Sequence, residues 1–163
     1  MKDCNNGMLV YTDRAIDKIL EYSASSAYYT KAICDRAVRF YNETKLQCLT
    51  EADIEEVVRL VLQDQDPKKL FNSLLEAGRG ATESRFSADE NKFILDQIAR
   101  KEQNDPVRGC YAMELVKPEN KPDSYIDDIV ADLEERKVIE VLEDRKYCKI
   151  IVKLYTLWAT MKK

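Results

Sequence analysis

The 163-residue sequence contains no histidine at all. That removes the side chain most used as a proton shuttle near neutral pH, and with it any His-based nucleophilic triad. The five cysteines, at positions 4, 34, 48, 110 and 148, lie far apart with no Cys-x-x-Cys pair. A conventional zinc site of clustered thiolates or imidazoles therefore has no ligand set. An odd cysteine count without a disulfide framework points to a reducing compartment, and Cys34 and Cys148 read as buried, reduced thiols. Glycine and proline are scarce, four of each, which favours long helices and argues against a disordered chain. The N-terminal MKDCNNGMLV has no apolar signal core, and nothing approaches the roughly 20 apolar residues of a membrane span. The expectation is a soluble, cytoplasmic protein.

What is present is a globular balance, 45% hydrophobic and 34% charged residues, with a net charge of -4 that offers no general attraction to phosphate polymers. Thr12 is placed to cap a helix bearing Ala15, Ile16, Ile19 and Leu20. After a break at Ser23-Ala24-Ser25-Ser26, Tyr29, Ala32, Ile33, Arg36, Ala37 and Phe40 predict a second helix over 27–42. Thr50 and Asp53 form a T-x-x-D capping pattern ahead of a third, whose apolar face is Ile54, Val57, Val58, Val61 and Leu62. A short helix with Leu70, Phe71, Leu74 and Leu75 follows Pro67. Residues 78–85, Gly-Arg-Gly-Ala-Thr-Glu-Ser-Arg, read as a connector and set the boundary between subdomains 1–80 and 86–163.

In the second half, Ser87 and Glu90 make a capping box for a helix with Phe93, Ile94, Ile98 and Ala99. A short segment with Val107, Tyr111, Met113, Leu115 and Val116 follows, then a helix over 124–137 whose apolar face is Ile126, Ile129, Val130 and Leu133. Two strand-like runs, 138–142 and 147–152, flank the polar turn Glu143-Asp144-Arg145-Lys146 and pair as a hairpin. An aromatic helix around Leu154-Tyr155-Thr156-Leu157-Trp158 ends the chain. Helix, helix, helix, hairpin is the order of a winged helix-turn-helix. The fold class expected is mainly α, a helical bundle followed by a winged helix with a small β-hairpin.

These residues carry a family resemblance. Residues 13–22 (Asp-Arg-Ala-Ile-Asp-Lys-Ile-Leu-Glu-Tyr), Tyr28-Tyr29, Cys34, Tyr41-Asn42-Glu43 and residues 50–58 (Thr-Glu-Ala-Asp-Ile-Glu-Glu-Val-Val) resemble the lid of prokaryotic STAND-type ATPases, relatives of the AAA+ class. In that family a winged helix follows the lid, and its closing strand runs into an aromatic motif like residues 151–158 here. The resemblance implies a regulatory module that works with an ATPase core, a partner protein, and ATP as the cofactor of a parent protein. This chain itself has no G-x-x-x-x-G-K-[ST] loop whose amides and lysine would cradle phosphates, so no cofactor and no catalytic residue are expected in it. The family's Gly-Gly-His-Pro-Tyr motif aligns with Ala24, Ser25, Ser26, Ala27 and Tyr28. With both glycines, the His and the Pro replaced, the resemblance does not carry nucleotide sensing over to this lid.

A winged helix also raises a DNA-binding alternative. From 122 to 137 the acidic residues Asp123, Asp127, Asp128, Asp132, Glu134 and Glu135 face only Arg136 and Lys137, the wrong sign for an element entering a major groove. The cations lie in the hairpin and beyond: Arg145, Lys146, Lys149 and Lys153, with Lys162 and Lys163. They form the candidate contact set for a nucleic acid or a partner, against the simpler reading that they solvate a sheet edge. The tyrosines and Phe40 of the first half read as helix packing rather than a stacking surface. Asp127-Asp128 and Glu134-Glu135 diverge by about 100° as helix neighbours, so they read as surface charge.

Overall fold

The computed structural model describes residues 8–46, 48–76, 84–142 and 146–161. The chain is mainly helical, with seven α-helices among the described residues, and divides into two compact units, Met1–Asp66 and Pro67–Lys163. No helix among the described residues is long and apolar enough to cross a membrane.

In the first unit, β1 (Val10–Tyr11) pairs in parallel with β2 (Cys48–Leu49), and each strand leads directly into a helix. Helix α1 (Asp13–Ser23) starts where the Thr12 hydroxyl accepts from the Ala15 amide at 3.2 Å. Helix α3 (Glu51–Asp64) starts at the expected Thr50–Asp53 capping box. Between them α2 (Ala27–Thr44) packs on both, and Ala15, Ile19, Tyr29, Ile33, Ala37, Ile54, Val57, Val58 and Val61 form the core. The apolar stripe of α1 is narrower than its sequence suggests: Ile16 and Leu20 are exposed while Ala15 and Ile19 are buried. Ser23 fixes the α1–α2 corner, because its buried hydroxyl accepts from Thr30 at 2.9 Å.

The second unit begins earlier than the glycine-containing connector at 78–85. Helix α4 (Pro67–Glu76) belongs with it, because Phe71 packs edge-to-face on Tyr155 and tilted on Trp158, with ring centroids 5.1 and 5.3 Å away. Residues 78–83 of that connector lie outside the described residues. Helix α5 (Ala88–Asn104) starts at the expected Ser87–Glu90 capping box and is the spine of the unit, packing on α4, on the sheet and on α7 (Lys153–Met161).

The sheet has three strands rather than the two of the hairpin, in the order β3 (Cys110–Tyr111), β5 (Tyr147–Ile150), β4 (Ile139–Leu142), all antiparallel. The short segment after α5 that holds Val107, Tyr111, Met113, Leu115 and Val116 contains β3 followed by one 3-10 turn, Ala112–Glu114. Pro106 and Gly109, the latter at φ +88, break helical geometry there, and Val107, Met113 and Val116 stay exposed. Gln97 holds the segment to α5 by reading its backbone twice: it donates to the Val116 carbonyl at 3.0 Å and accepts from the Val116 amide at 2.8 Å.

Helix α6 (Tyr125–Glu135) ends in a left-handed Lys137 at φ 55, with the Val138 amide donating back to the Leu133 carbonyl at 2.9 Å. This is the Schellman arrangement. It turns the chain sharply from α6 into β4, so helix and hairpin emerge side by side.

Candidate interaction surface

Three places in the sequence carry candidate contact residues: the α1–α2 corner, helix α6 and the hairpin. The corner and the hairpin lie in different units and are considered separately.

At the corner, Ala24 and Ser25 both adopt left-handed backbone, at φ 49 and φ 56. Ser26 is the N-cap of α2 without a side-chain capping bond, and Ala27 and Tyr28 are the first two residues of the helix, with Tyr28 exposed. Left-handed geometry is strained for a residue bearing a Cβ by roughly 1–2 kcal/mol. Ala24 and Ser25 thus keep a backbone that glycine would occupy without strain. Replacing Ala24 with glycine is expected to raise stability by about 1 kcal/mol. Urea unfolding followed by far-UV circular dichroism would register the gain, and an equal loss would mean that the left-handed residue is not strained.

The hairpin cations are less available than the sequence suggests. Arg145, Lys162 and Lys163 lie outside the described residues. Lys146 is exposed in the turn. Lys149 stands directly across from Glu140 in the β4–β5 register. Lys153 forms an ion pair with Glu102, whose carboxylate is buried and also accepts the Ile150 amide at 3.3 Å. A carboxylate that deep requires a counterion, so Lys153 neutralises the interior rather than standing ready for phosphate. The sequence signal for this was available: Glu102 sits among the buried positions of α5, at the spacing of Ile98 and Ala99.

Helix α6 separates into two faces with opposite roles. Inward, Ile129 and Leu133 join the core, and so do two charged residues, Asp132 and Arg136. The Arg136 Nε donates to Asp132 at 2.8 Å and its Nη1 to the Leu74 carbonyl at 3.3 Å. Asp132 also accepts from the Ser84 hydroxyl at 3.0 Å and the Arg85 amide at 3.1 Å. Asn91 completes the node by donating to the Leu75 carbonyl at 2.7 Å. The last-turn carbonyls of α4 thus find side-chain donors from α5 and α6. Two of the eight charges counted on this segment are therefore structural: burial pushes the Asp132 carboxyl up, but the Arg85 amide, the Arg136 guanidinium and the Ser84 hydroxyl outweigh it and hold the group below the usual carboxylate range.

Outward, α6 is acidic and partly apolar. Asp127, Asp128 and Glu135 are exposed, and among the described residues none of the three forms an ion pair. Ile126, Val130 and Ala131 are half-buried and, with Val141 of β4, Ala112, Asp127 and Glu134, line a groove of about 370 Å³. Glu134 lies close enough to the sheet that its charge, after burial itself, helps push the Cys148 thiol up to about 11. Reading Ile126, Ile129, Val130 and Leu133 as one stripe hid this groove, because Ile126 and Val130 sit about 60° around the helix from the buried pair.

Cys110 and Cys148 are buried thiols pushed up to about 12 and about 11, chiefly by burial, so neither is primed as a nucleophile. Cys34 is only half-buried. Among the described residues, no group of three or more Asp, Glu or Cys side chains is placed to hold a metal ion. No protein-family model, no curated protein and no solved structure matches this chain.

Proposed function

We propose that this chain is a non-catalytic regulatory and interaction module, organised like the helical lid and winged helix of a STAND/AAA+-type ATPase without the P-loop core. The element order of the second unit supports the winged-helix part: α5, β3, a helical turn, α6 and then the β4–β5 wing, with the first strand pairing on the last. The left-handed Ala24 and Ser25, at the positions aligned with the family's two glycines, support the lid part. In a parent ATPase the pair would close over the nucleotide-bound core, and the contacts that differ between the two nucleotide states would pass that state to a partner.

The observation that carries the interaction role is the solvent face of α6. In a DNA reader this helix lies against phosphates and base edges, where cations supply most of the affinity. Here it presents Asp127, Asp128 and Glu135, while Lys153 is committed to Glu102. A surface of that sign suits a protein.

Titration calorimetry with Mg–ATP tests the reading. No saturable heat is expected from the chain alone, because it has no Gly-rich amide cradle and no P-loop lysine. Stoichiometric binding or turnover of ATP by these 163 residues would overturn the non-catalytic assignment.

A further inference from the structure

We infer that the groove between α6 and β4 receives an apolar, lysine- or arginine-bearing segment of a partner protein, an inference that rests on the interaction reading above. Its floor is aliphatic: Ile126, Val130 and Ala131 from α6, Val141 from β4, and Ala112 from the 3-10 turn. All five are half-buried. Covering them removes apolar surface from water, which favours binding. The rim supplies the sign. Among the described residues, Asp127 and Glu134 are the charged ones that line the groove, and no lysine or arginine lines it. Asp127 is exposed and has no ion-pair partner among the described residues. Asp128 and Glu135 extend the negative field along the same helix. An acidic segment would meet like charge, and nucleic acid would meet it along its whole backbone.

The groove is also held rigidly. The buried Asp132–Arg136 node anchors one side of α6, and the Schellman turn at Lys137 fixes its distance from β4. A pre-formed concavity loses less ordering entropy on binding than a mobile one. The apolar floor selects side chains with aliphatic bulk, and the rim selects a positive charge beside them.

The probe is a short synthetic peptide alternating leucine and lysine, titrated into the uniformly ¹⁵N-labelled full chain. Two control peptides replace its leucines by glycine or its lysines by glutamate. Amide shifts should concentrate at Ala112, across α6 and at Val141. Affinity should fall about tenfold or more for either control peptide, and likewise for the chain variants Asp127→Lys and Val130→Lys. Asp127 is exposed and Val130 half-buried in the groove floor, and a dispersed amide spectrum verifies that each variant is folded.

Equal binding of the glycine–lysine peptide would reduce the effect to bulk charge and overturn the inference. So would equal binding of the leucine–glutamate peptide, shifts lying outside the groove, or shifts at these residues produced by raising the chain's own concentration. Absence of any peptide shift in a chain that binds no ATP would remove this groove and leave the interaction role standing. ATP binding with the peptide shifts intact would do the reverse.

Discussion

Gly109→Ala should lower the stability of the second unit by about 2–4 kcal/mol, combining left-handed backbone strain with overpacking. A Cβ at this position would lie 2.5 Å from the Cys148 carbonyl oxygen and 2.6 Å from Cγ of Lys149. Backbone φ is +88, where an L side chain is strained whatever the space. The carbonyl is part of β5, the central strand, so it cannot move aside without disturbing the pairing of both neighbours. The lost interaction is the β3–β5 pairing at Cys110 and Tyr111, which gives the hairpin its third strand. Trp158 is the only tryptophan in the sequence and packs against Phe71 and Tyr155, so its fluorescence reports this unit. Urea unfolding followed at Trp158 should show the loss. Val107→Ala, at a position 81% exposed, should stay within about 0.5 kcal/mol of the parent. A Gly109→Ala loss below about 1 kcal/mol would mean that the close approach of β3 to β5 is not as tight as described.

Asp132→Ala should be comparably severe, at about 3–5 kcal/mol, because it strands a buried guanidinium without its counterion. Arg136 is 1% exposed, and its Nη2 already finds no acceptor among the described residues. The substitution also removes the acceptor used by Ser84 and by the Arg85 amide. Arg136→Met should be milder, since Asp132 keeps those two donors, and the double variant should lose less than the sum of the single changes. Acid should report the same node. The Asp132 carboxyl is held below its ordinary value, and Glu90, accepting from Lys121 and then from the Ser87 amide and hydroxyl, is lowered to about 2. A depressed carboxyl contributes stability that is fully present above its unfolded value, about 4, and is lost as pH falls through its folded value. The Trp158 transition should therefore weaken between pH of about 4 and about 2, and less steeply in Asp132→Ala. An Asp132→Ala variant as stable as the parent would show that the buried pair contributes nothing net.

Much of the helical framework was legible in the sequence because its signals are local. Thr12, the Thr50–Asp53 pair and the Ser87–Glu90 pair cap the helices that their spacing announces, and the hairpin runs pair as expected. What escaped depended on distant partners. Cys110-Tyr111 is too short to carry a period and becomes a strand only because β5 offers it an edge. Helix α4 joins the second unit through Phe71, whose partners Tyr155 and Trp158 lie more than eighty residues on. The 78–85 stretch looks like a boundary because it is rich in small and polar residues, yet the buried node runs through Ser84 and Arg85.

The candidate surface was half legible. Counting charge over 122–137 correctly gave α6 an acidic character, but Asp132 and Arg136 had to be removed from the count once they proved to be buried against each other. The hairpin cations looked like a set because they are close in sequence. Lys153 leaves that set for Glu102, a partner fifty-one residues away whose place on the buried face of α5 is visible locally but whose pairing with Lys153 is not. The groove, in turn, arises only where α6 meets β4.

The sign of the α6 surface is tested most directly by titrating a fluorescein-labelled DNA duplex with the full chain at about 50 mM salt and again at about 200 mM, reading anisotropy. The expected result is no saturable binding at either concentration, for the parent chain and for a Lys146→Glu, Lys149→Glu variant alike. Saturable binding at the lower salt that falls steeply at the higher, and disappears in that variant, would contradict a protein-facing α6 and make the wing a phosphate contact.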